Sequence, residues 1–157
     1  MGHYDTQSYA VEHSVGYLMR RGAALLREQL ETTFETAGIT FVQWVTLILV
    51  RDNPGMTPGE VCRDLHHDSG AFTRILDHLE QRQLLRRAPN DADRRSVQLR
   101  LTDAGRQTID AGLPLVVGRL NDALCDFTAA EVQTLTSLLT RMIVRLESNG
   151  DATGSCP

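Results

Sequence analysis

Two helix-start signals separated by one short turn constrain this chain more than anything else in it. Thr57-Pro58-Gly59-Glu60 is built to cap a helix from both directions. The threonine oxygen accepts from the backbone three residues on, the glutamate reaches back, and proline takes the first helical position, where its missing N–H costs nothing. That helix must end near Leu65 or His66, because Asp68 is placed to cap the next one. In the second helix Phe72, Ile75, Leu76 and Leu79 fall on one apolar face, leaving Ser69, Gly70, Thr73, Arg74 and Asp77 on the other. Two extended runs follow, 84–88 and 96–101, joined by a charged connection at 89–95. Residues 57–102 therefore predict helix, turn, helix and hairpin in a single compact unit.

The flanking sequence is helical. Val11, Val15, Leu18, Leu25, Leu26 and Leu30 recur at helical spacings and predict a helix over 9–37, stopped by Gly38. Thr40 and Gln43 form a second capping box, and the segment 41–52 behind it is apolar nearly all round, which marks it as the buried centre. In the second strand Val97, Leu99 and Leu101 are expected to face inward, with Gln98 and Arg100 outward. A long helix follows from Thr102 to about Cys125, with Gly112, Pro114 and Gly118 as places for it to bend. A third capping box at Thr128 and Glu131 opens a last helix. In it Val132, Leu135, Leu139, Met142 and Leu146, widened by Leu138 and Ile143, form a packing seam. Residues 1–8 read as disordered or weakly helical, and 148–157 as a disordered tail. The expected fold is mainly α with a small β-hairpin, in one domain.

Charge is distributed unevenly. Residues 82–106 hold seven arginines against three aspartates, a local +4, and the remainder holds nine arginines against seventeen acids, −8. An acidic body with one basic segment excludes a diffuse nucleic-acid coat and favours a local footprint. The chain has no lysine, so any phosphate contact falls to an arginine fork or a neutral donor. Cys62, Cys125 and Cys156 are odd in number and widely spaced, which argues against a disulfide framework or zinc knuckle. No signal-peptide pattern is present, and no apolar run approaches the roughly 20 residues a membrane span needs, so a cytoplasmic protein is expected.

A helix fits the major groove of B-DNA with its N-terminal residues at the base edges. Ser69, Gly70 and Thr73 suit that place, being small and partly hydroxylated, and Arg74 suits a phosphate or guanine. The helix start at Thr57 offers backbone N–H groups to phosphate. The hairpin tip then reaches an adjacent minor groove, where a narrow A·T-rich stretch attracts arginine.

The run Asp91-Ala-Asp93-Arg94-Arg95 followed by Leu101-Thr102-Asp-Ala-Gly105 resembles the wing signature of the multiple-antibiotic-resistance regulator (MarR) family of winged-helix regulators. The segment from Phe72 to Glu80 is similar to that family's recognition helix, and the order of elements matches over nearly the whole chain. The resemblance implies a winged helix-turn-helix lobe at 40–102, with 9–37 and 103–147 as dimerisation helices. It implies a homodimer reading the half-sites of a pseudo-palindromic operator in double-stranded DNA, most simply as a repressor. It also implies that Arg95 enters the minor groove beside Arg94 while Asp93 orients it. Gln83 departs from the family pattern, which has glycine there, so a positive φ or a rebuilt turn is expected at that position. The family commonly takes small aromatic acids between its lobes, and Tyr17, Arg20, Arg21 and Trp44 are the lining this resemblance suggests, with rings to stack on and a cation for a carboxylate.

Other readings stand beside these. Trp44 suits a core as well as a ligand, and Arg20 and Arg21 suit a plain surface. Cys62, next to Val61, suits a small filler or a redox sensor. His66 and His67 lack the further ligands a metal needs, and no metal or cofactor is expected. No nucleophile elbow, metalloprotease motif or phosphate loop is present, so an enzyme is not expected. A winged helix kept only for protein interaction is the remaining alternative, but it has no need of Asp93 and Arg95 at this spacing.

Overall fold

A computed structural model of the chain describes residues 2–35, 38–89 and 96–153. A 3-10 turn (Val11–His13) precedes α1 (Val15–Glu35), α2 (Phe41–Asp52), α3 (Pro58–Asp64) and α4 (Ser69–Gln81). Then come β1 (Leu85–Pro89), β2 (Val97–Leu101), α5 (Asp103–Ala123) and α6 (Ala129–Thr153). The chain divides into two compact units, residues 1–119 and 120–157, so α5 starts in the first and ends in the second.

The first unit is assembled on α2. Its capping box is complete, with Thr40 accepting from the Gln43 N–H and the Gln43 side chain accepting from the Thr40 N–H. With its Oε1 so engaged, Gln43 uses Nε2 to donate to His78 Nδ1 at 2.9 Å, which ties α2 to α4. Leu47, Trp44 and Val50 of α2 join Phe34, Val61, Phe72, Leu76, Leu79, Leu85, Leu99 and Ile109 in one buried cluster. The first helix starts later than position 9. The Ser14 hydroxyl donates to the Val11 carbonyl and accepts from the Tyr17 N–H, so it caps α1 and breaks the run there. The leading segment is also tied down, since the Val15 N–H donates to the Tyr4 hydroxyl at 2.9 Å and Tyr4 meets Tyr9 edge-on.

Both short helices of the central segment end in the same way. After α3, the His66 N–H donates to Arg63 and the His67 N–H to Cys62. After α4, Gln83 donates to Glu80 and Leu84 to Leu79. Each is a Schellman ending whose pivot lies in the left-handed region, His66 at φ 48° and Gln83 at φ 57°. The positive φ expected at Gln83 is therefore present, and the helix closes there in a Schellman turn.

The hairpin pairs Leu85 with Leu101, Arg86 with Arg100, Arg87 with Leu99, Ala88 with Gln98 and Pro89 with Val97. The expected alternation in β2 fails at its outer end, where Val97 is 42% exposed and Gln98 only 6%. Gln98 is the residue covered, because its Nε2 donates to the Pro89 carbonyl at 2.8 Å and Gly55 of the α2–α3 connection lies over it. That connection also pairs with the strand, through the Leu99 N–H and the Met56 carbonyl.

At the exit of the hairpin, Thr102 donates its hydroxyl to the Gln83 carbonyl at 2.6 Å and accepts from the Gly105 N–H at 3.0 Å, capping α5. Gly105 is required there, since a Cβ would lie 2.0 Å from the Leu84 carbonyl oxygen. Gly112 serves contact in the same way. A Cβ on it would meet the Trp44 indole at 2.2 Å.

The second unit holds the end of α5, a turn, and α6 behind the third capping box, with Thr128 and Glu131 bonded in both directions. Helix α6 continues to Thr153, past the break expected at 148. The Ser148 hydroxyl bonds back to the Val144 carbonyl and does not terminate the helix. Residues 154–157 lie outside the described part. Leu135, Leu138, Ile143 and Leu146 of the expected seam are exposed, as is Val144 beside them.

Candidate nucleic-acid interface

Helix α4 presents the face the sequence assigns to DNA. Phe72, Leu76 and Leu79 are buried beneath it, while Ser69, Gly70, Thr73, Arg74 and Asp77 are exposed together on the other side. Asp68 caps the helix by accepting from the Ala71 N–H at 2.9 Å. Thr73 donates its hydroxyl back to the Ser69 carbonyl, so its methyl group and the acceptor lone pairs of its oxygen are left for an approaching base. Arg74 makes no ion pair among the described residues.

The start of α3 is less open than the sequence suggests. Thr57 donates both its N–H and its hydroxyl to Glu60 Oε2, at 2.7 and 2.9 Å. Those two bonds, the backbone one first, hold the Glu60 carboxyl below its ordinary range, so a carboxylate stands at this helix start. A phosphate arriving at α3 must use the neighbouring backbone and not the Thr57 side chain.

Not every arginine of the basic segment is available. Arg87 donates to Asp77 Oδ1 at 2.8 Å and Glu80 Oε2 at 2.5 Å, and its N–H donates to Glu80 Oε1 at 3.0 Å. The Asp77 bond, with Glu80 behind it, raises the Arg87 guanidinium further above its ordinary range. This latch joins β1 to the exposed side of α4 and was not anticipated. Its one sequence signal is the i, i+3 spacing of Asp77 and Glu80, which puts both acids on one face. Arg82 donates to the Gly38 carbonyl and so belongs to the body of the unit. Asp93, Arg94 and Arg95, the expected tip, lie outside the described residues.

The expected effector residues are not all brought together. Tyr17 carries the Arg20 guanidinium 5.6 Å from its ring centroid, and Arg20 and Arg21 are exposed on α1. Trp44 is a core residue, 5% exposed, donating Nε1 to the Ile109 carbonyl at 3.3 Å and packed on Phe34. Phe34 lies about 25 Å along α1 from Tyr17 at 1.5 Å per residue. The concave feature near α2 is instead a groove of about 270 Å³ lined by Ala23, Arg27, Phe41, Val42, Val45, Leu65 and His67. Phe41 links it to the core by stacking on Trp44. Nothing in the sequence pairs Arg27 with His67, which line one groove only in the folded chain.

The cysteines and histidines are modest. Cys62 is half-buried and donates to the His67 carbonyl, a filler's position, while Cys125 is exposed. Among the described residues no three His, Cys, Asp or Glu side chains converge as a metal would need, and no helix is long and apolar enough to cross a membrane.

Comparison with known proteins agrees with this geometry. Residues 37–96 match the family model described as the MarR family. The chain is similar to the multiple antibiotic resistance protein MarR of Escherichia coli, 36% identical over 106 residues, 67% of this chain and 74% of that protein. The wild-type apo crystal structure of MarR from E. coli superposes with a TM-score of 0.71 at 30% identity, covering 82% of this chain and 96% of that one. The chain is also similar to the transcriptional repressor NicR of Pseudomonas putida, 27% identical over 146 residues, 93% of this chain and 92% of that protein. A structure of BpsR from Bordetella bronchiseptica, whose DNA binding is regulated by 6-hydroxynicotinic acid, superposes with a TM-score of 0.73 at 25% identity, covering 85% of this chain and 96% of that one. These relatives are named for control of transcription and not for catalysis. With its capped α3–α4 pair, its hairpin and the Thr102–Gly105 exit all in the matching order, the chain belongs to the MarR family of transcriptional regulators.

Proposed function

We propose that this regulator is a homodimeric repressor, acting in the cytoplasm, whose paired α4 helices read the half-sites of a pseudo-palindromic operator. The observation that carries the reading is the exposed face of α4, small and hydroxylated at Ser69, Gly70 and Thr73, with Arg74 unpaired among the described residues. In this arrangement Arg74 grips a phosphate or guanine while Ser69 and Thr73 approach base edges. Asp93, Arg94 and Arg95 take the adjacent minor groove, and the α3 backbone beyond Thr57 takes a phosphate. Dimerisation is supported by apolar side chains that one copy leaves in water, Val15, Leu18 and Leu25 on α1 and Leu135, Leu138 and Leu146 on α6. A dimer sets its two reading helices about one turn of DNA apart, ~34 Å.

Release by a small aromatic acid is the second half of the proposal. The groove beside α2 is lined by Phe41, Val42, Val45 and Leu65, which suit a ring, and by Arg27 and His67, which suit a carboxylate. It replaces the lining first expected at Tyr17, Arg20, Arg21 and Trp44. That BpsR is regulated by 6-hydroxynicotinic acid supports a ligand of this kind.

The test is a mobility-shift assay on the DNA upstream of the chain's own gene, at several salt concentrations. Arg74→Ala lowers the slope of log affinity against log salt by about 0.9 if Arg74 contacts a phosphate. Thr73→Val changes which operator variants are preferred. Equal weakening on all sequences from Thr73→Val, or full binding by a proven monomer, refutes the reading. Adding 6-hydroxynicotinic acid or a phenolic acid releases the wild type but not Arg27→Ala.

A further inference from the structure

Four polar side chains are buried among the described residues, Ser14, Gln43, Thr46 and Gln98. The first two cap helices, and Thr46 bonds back to the Val42 carbonyl of its own helix. Gln98, 6% exposed, is the one whose burial serves no helix. It stands opposite Ala88, one register step before the Pro89–Val97 pair that ends the described hairpin. Arg87 turns its N–H to Glu80, and Leu99 turns its N–H to Met56, so that pair exchanges no ladder bonds. In an antiparallel ladder this condition returns every second residue, and so it returns at Pro89 and Val97. Proline is tolerated there because the ladder asks it for no N–H. The same alternation leaves the Pro89 carbonyl without a backbone partner on the facing strand. The Gln98 side chain supplies one, its Nε2 donating at 2.8 Å.

The other side of the amide is closed by the α2–α3 connection. Residues 53–56 form a turn in which the Met56 N–H donates to the Asn53 carbonyl at 3.3 Å. Pro54 in second place and Gly55 in third, at φ 94°, are the residues a type II turn favours. A Cβ on Gly55 would stand 3.6 Å from Gln98 Oε1, so the turn lies in contact with the amide. The Met56 carbonyl accepts from the Leu99 N–H at 2.8 Å, and Thr57 caps α3 one residue later. Gln98 therefore sits between the segment that starts α3 and the end of β1.

We propose that Gln98 is a positioning residue for DNA binding: by holding the Pro89 carbonyl beneath the turn at 53–56, it fixes the base of the hairpin relative to the start of α3. The inference rests on the reading that Arg95 contacts DNA. Residues 90–95 follow Pro89 directly, so the tie at Pro89 sets where that contact is offered. An apolar side chain of similar length fills the same space but gives the carbonyl no donor.

The test is fluorescence anisotropy of the full chain on duplex DNA from upstream of its own gene, with affinity normalised to the folded fraction. Gln98→Met keeps the length and loses the donor. It is expected to weaken binding about fivefold, the worth of one hydrogen bond. It is also expected to lower the slope of log affinity against log salt toward that of Arg95→Ala. In an Arg95→Ala background the same change is expected to cost less than about twofold, because the contact being positioned is gone. Gly55→Ala strains the covering turn while keeping the amide, and it reports on the same clamp if Gln98→Met does not fold. Its loss of affinity is likewise expected only where Arg95 is present. Equal weakening with and without Arg95 means that Gln98 and Gly55 support the fold in general, and it overturns the proposal. Wild-type affinity in Gln98→Met overturns it too. If Arg95→Ala alone binds as tightly as wild type, the tip contact itself is refuted, and the positioning role falls with it.

Discussion

Replacing Glu80 by alanine sets two effects of opposite sign against each other. Glu80 accepts the Arg87 N–H at 3.0 Å and the Arg87 Nη1 at 2.5 Å. The backbone bond contributes about 1 kcal/mol. The side chains of Arg87 and Glu80 are 31% and 37% exposed, so solvent screens the ion pair to about 0.5 kcal/mol. Glu80→Ala therefore destabilises the fold by about 1.5 kcal/mol, a fall in Tm of roughly 3–6 °C. On charge alone the variant should hold DNA more tightly, because a negative group beside the reading helix is gone and Arg87 is partly released. If the latch aims the hairpin, affinity falls instead, by about fivefold for 1 kcal/mol of lost positioning. Fluorescence anisotropy on an operator duplex across a salt series separates the two, with binding normalised to folded protein. Glu80→Gln, which keeps one acceptor for the Arg87 N–H, is expected to fall between wild type and Glu80→Ala. Tighter binding by Glu80→Ala at every salt concentration would refute the positioning role.

Three further outcomes follow from local geometry. Gly105→Ala forces a Cβ into the Leu84 carbonyl and costs about 3 kcal/mol in chemical denaturation; a loss below about 1 kcal/mol means that α5 can shift away from β1 freely. Gln83→Gly removes left-handed strain but adds chain entropy to the unfolded state, so a net gain of about 0.5 kcal/mol is expected, and a loss would show that the glutamine side chain contributes. The Glu131 carboxyl is held below the ordinary carboxylate range by bonds from the Thr128 backbone and hydroxyl. A carboxyl depressed in the folded state stabilises above its unfolded pKa, and that support disappears as pH falls through the folded value. The stability difference between wild type and Glu131→Gln should then be constant near neutrality and shrink below about pH 4.5. A difference that grows on acidification contradicts the cap.

The sequence carried the local signals and missed the contacts made across the fold. Capping boxes depend on residues three apart, so Thr40, Thr57 and Thr128 could be read directly, and so could Asp68 and the buried face of α4. The departure at Gln83 was legible for the same reason. Gln98 was misplaced because period-two alternation assumes that only apolar residues turn inward, and an amide bonded to Pro89 beneath Gly55 breaks that rule. The break expected at 148 was a composition argument, and a serine that bonds back to Val144 lets the helix continue. The Arg87 latch was invisible because an arginine among arginines looks like footprint until its partners are placed. Trp44 was ambiguous by type alone, and it is the indole against Gly112 that decides it for the core.

The groove and the latch act on different ends of the same helix. Leu65 and His67 line the groove from the turn that ends α3, and the next residue, Asp68, caps α4. The His67 ring also lies 6.4 Å from that of Phe72, which anchors α4 in the core. A ligand wedged between Phe41 and this turn would therefore bear on the N-terminal end of α4, where the proposed reading sets Ser69 and Gly70 toward DNA. To lower operator affinity tenfold it needs about 1.4 kcal/mol of preference for the arrangement that does not fit DNA. The latch holds the other end of α4, through Asp77 and Glu80, to β1. Loss of the latch should weaken binding to the operator while leaving the fold-change on adding ligand intact, since the ligand moves the entry of the helix and not its tie to the hairpin. An effector response that disappears together with the latch would instead mean that α4 and the hairpin move as one rigid piece.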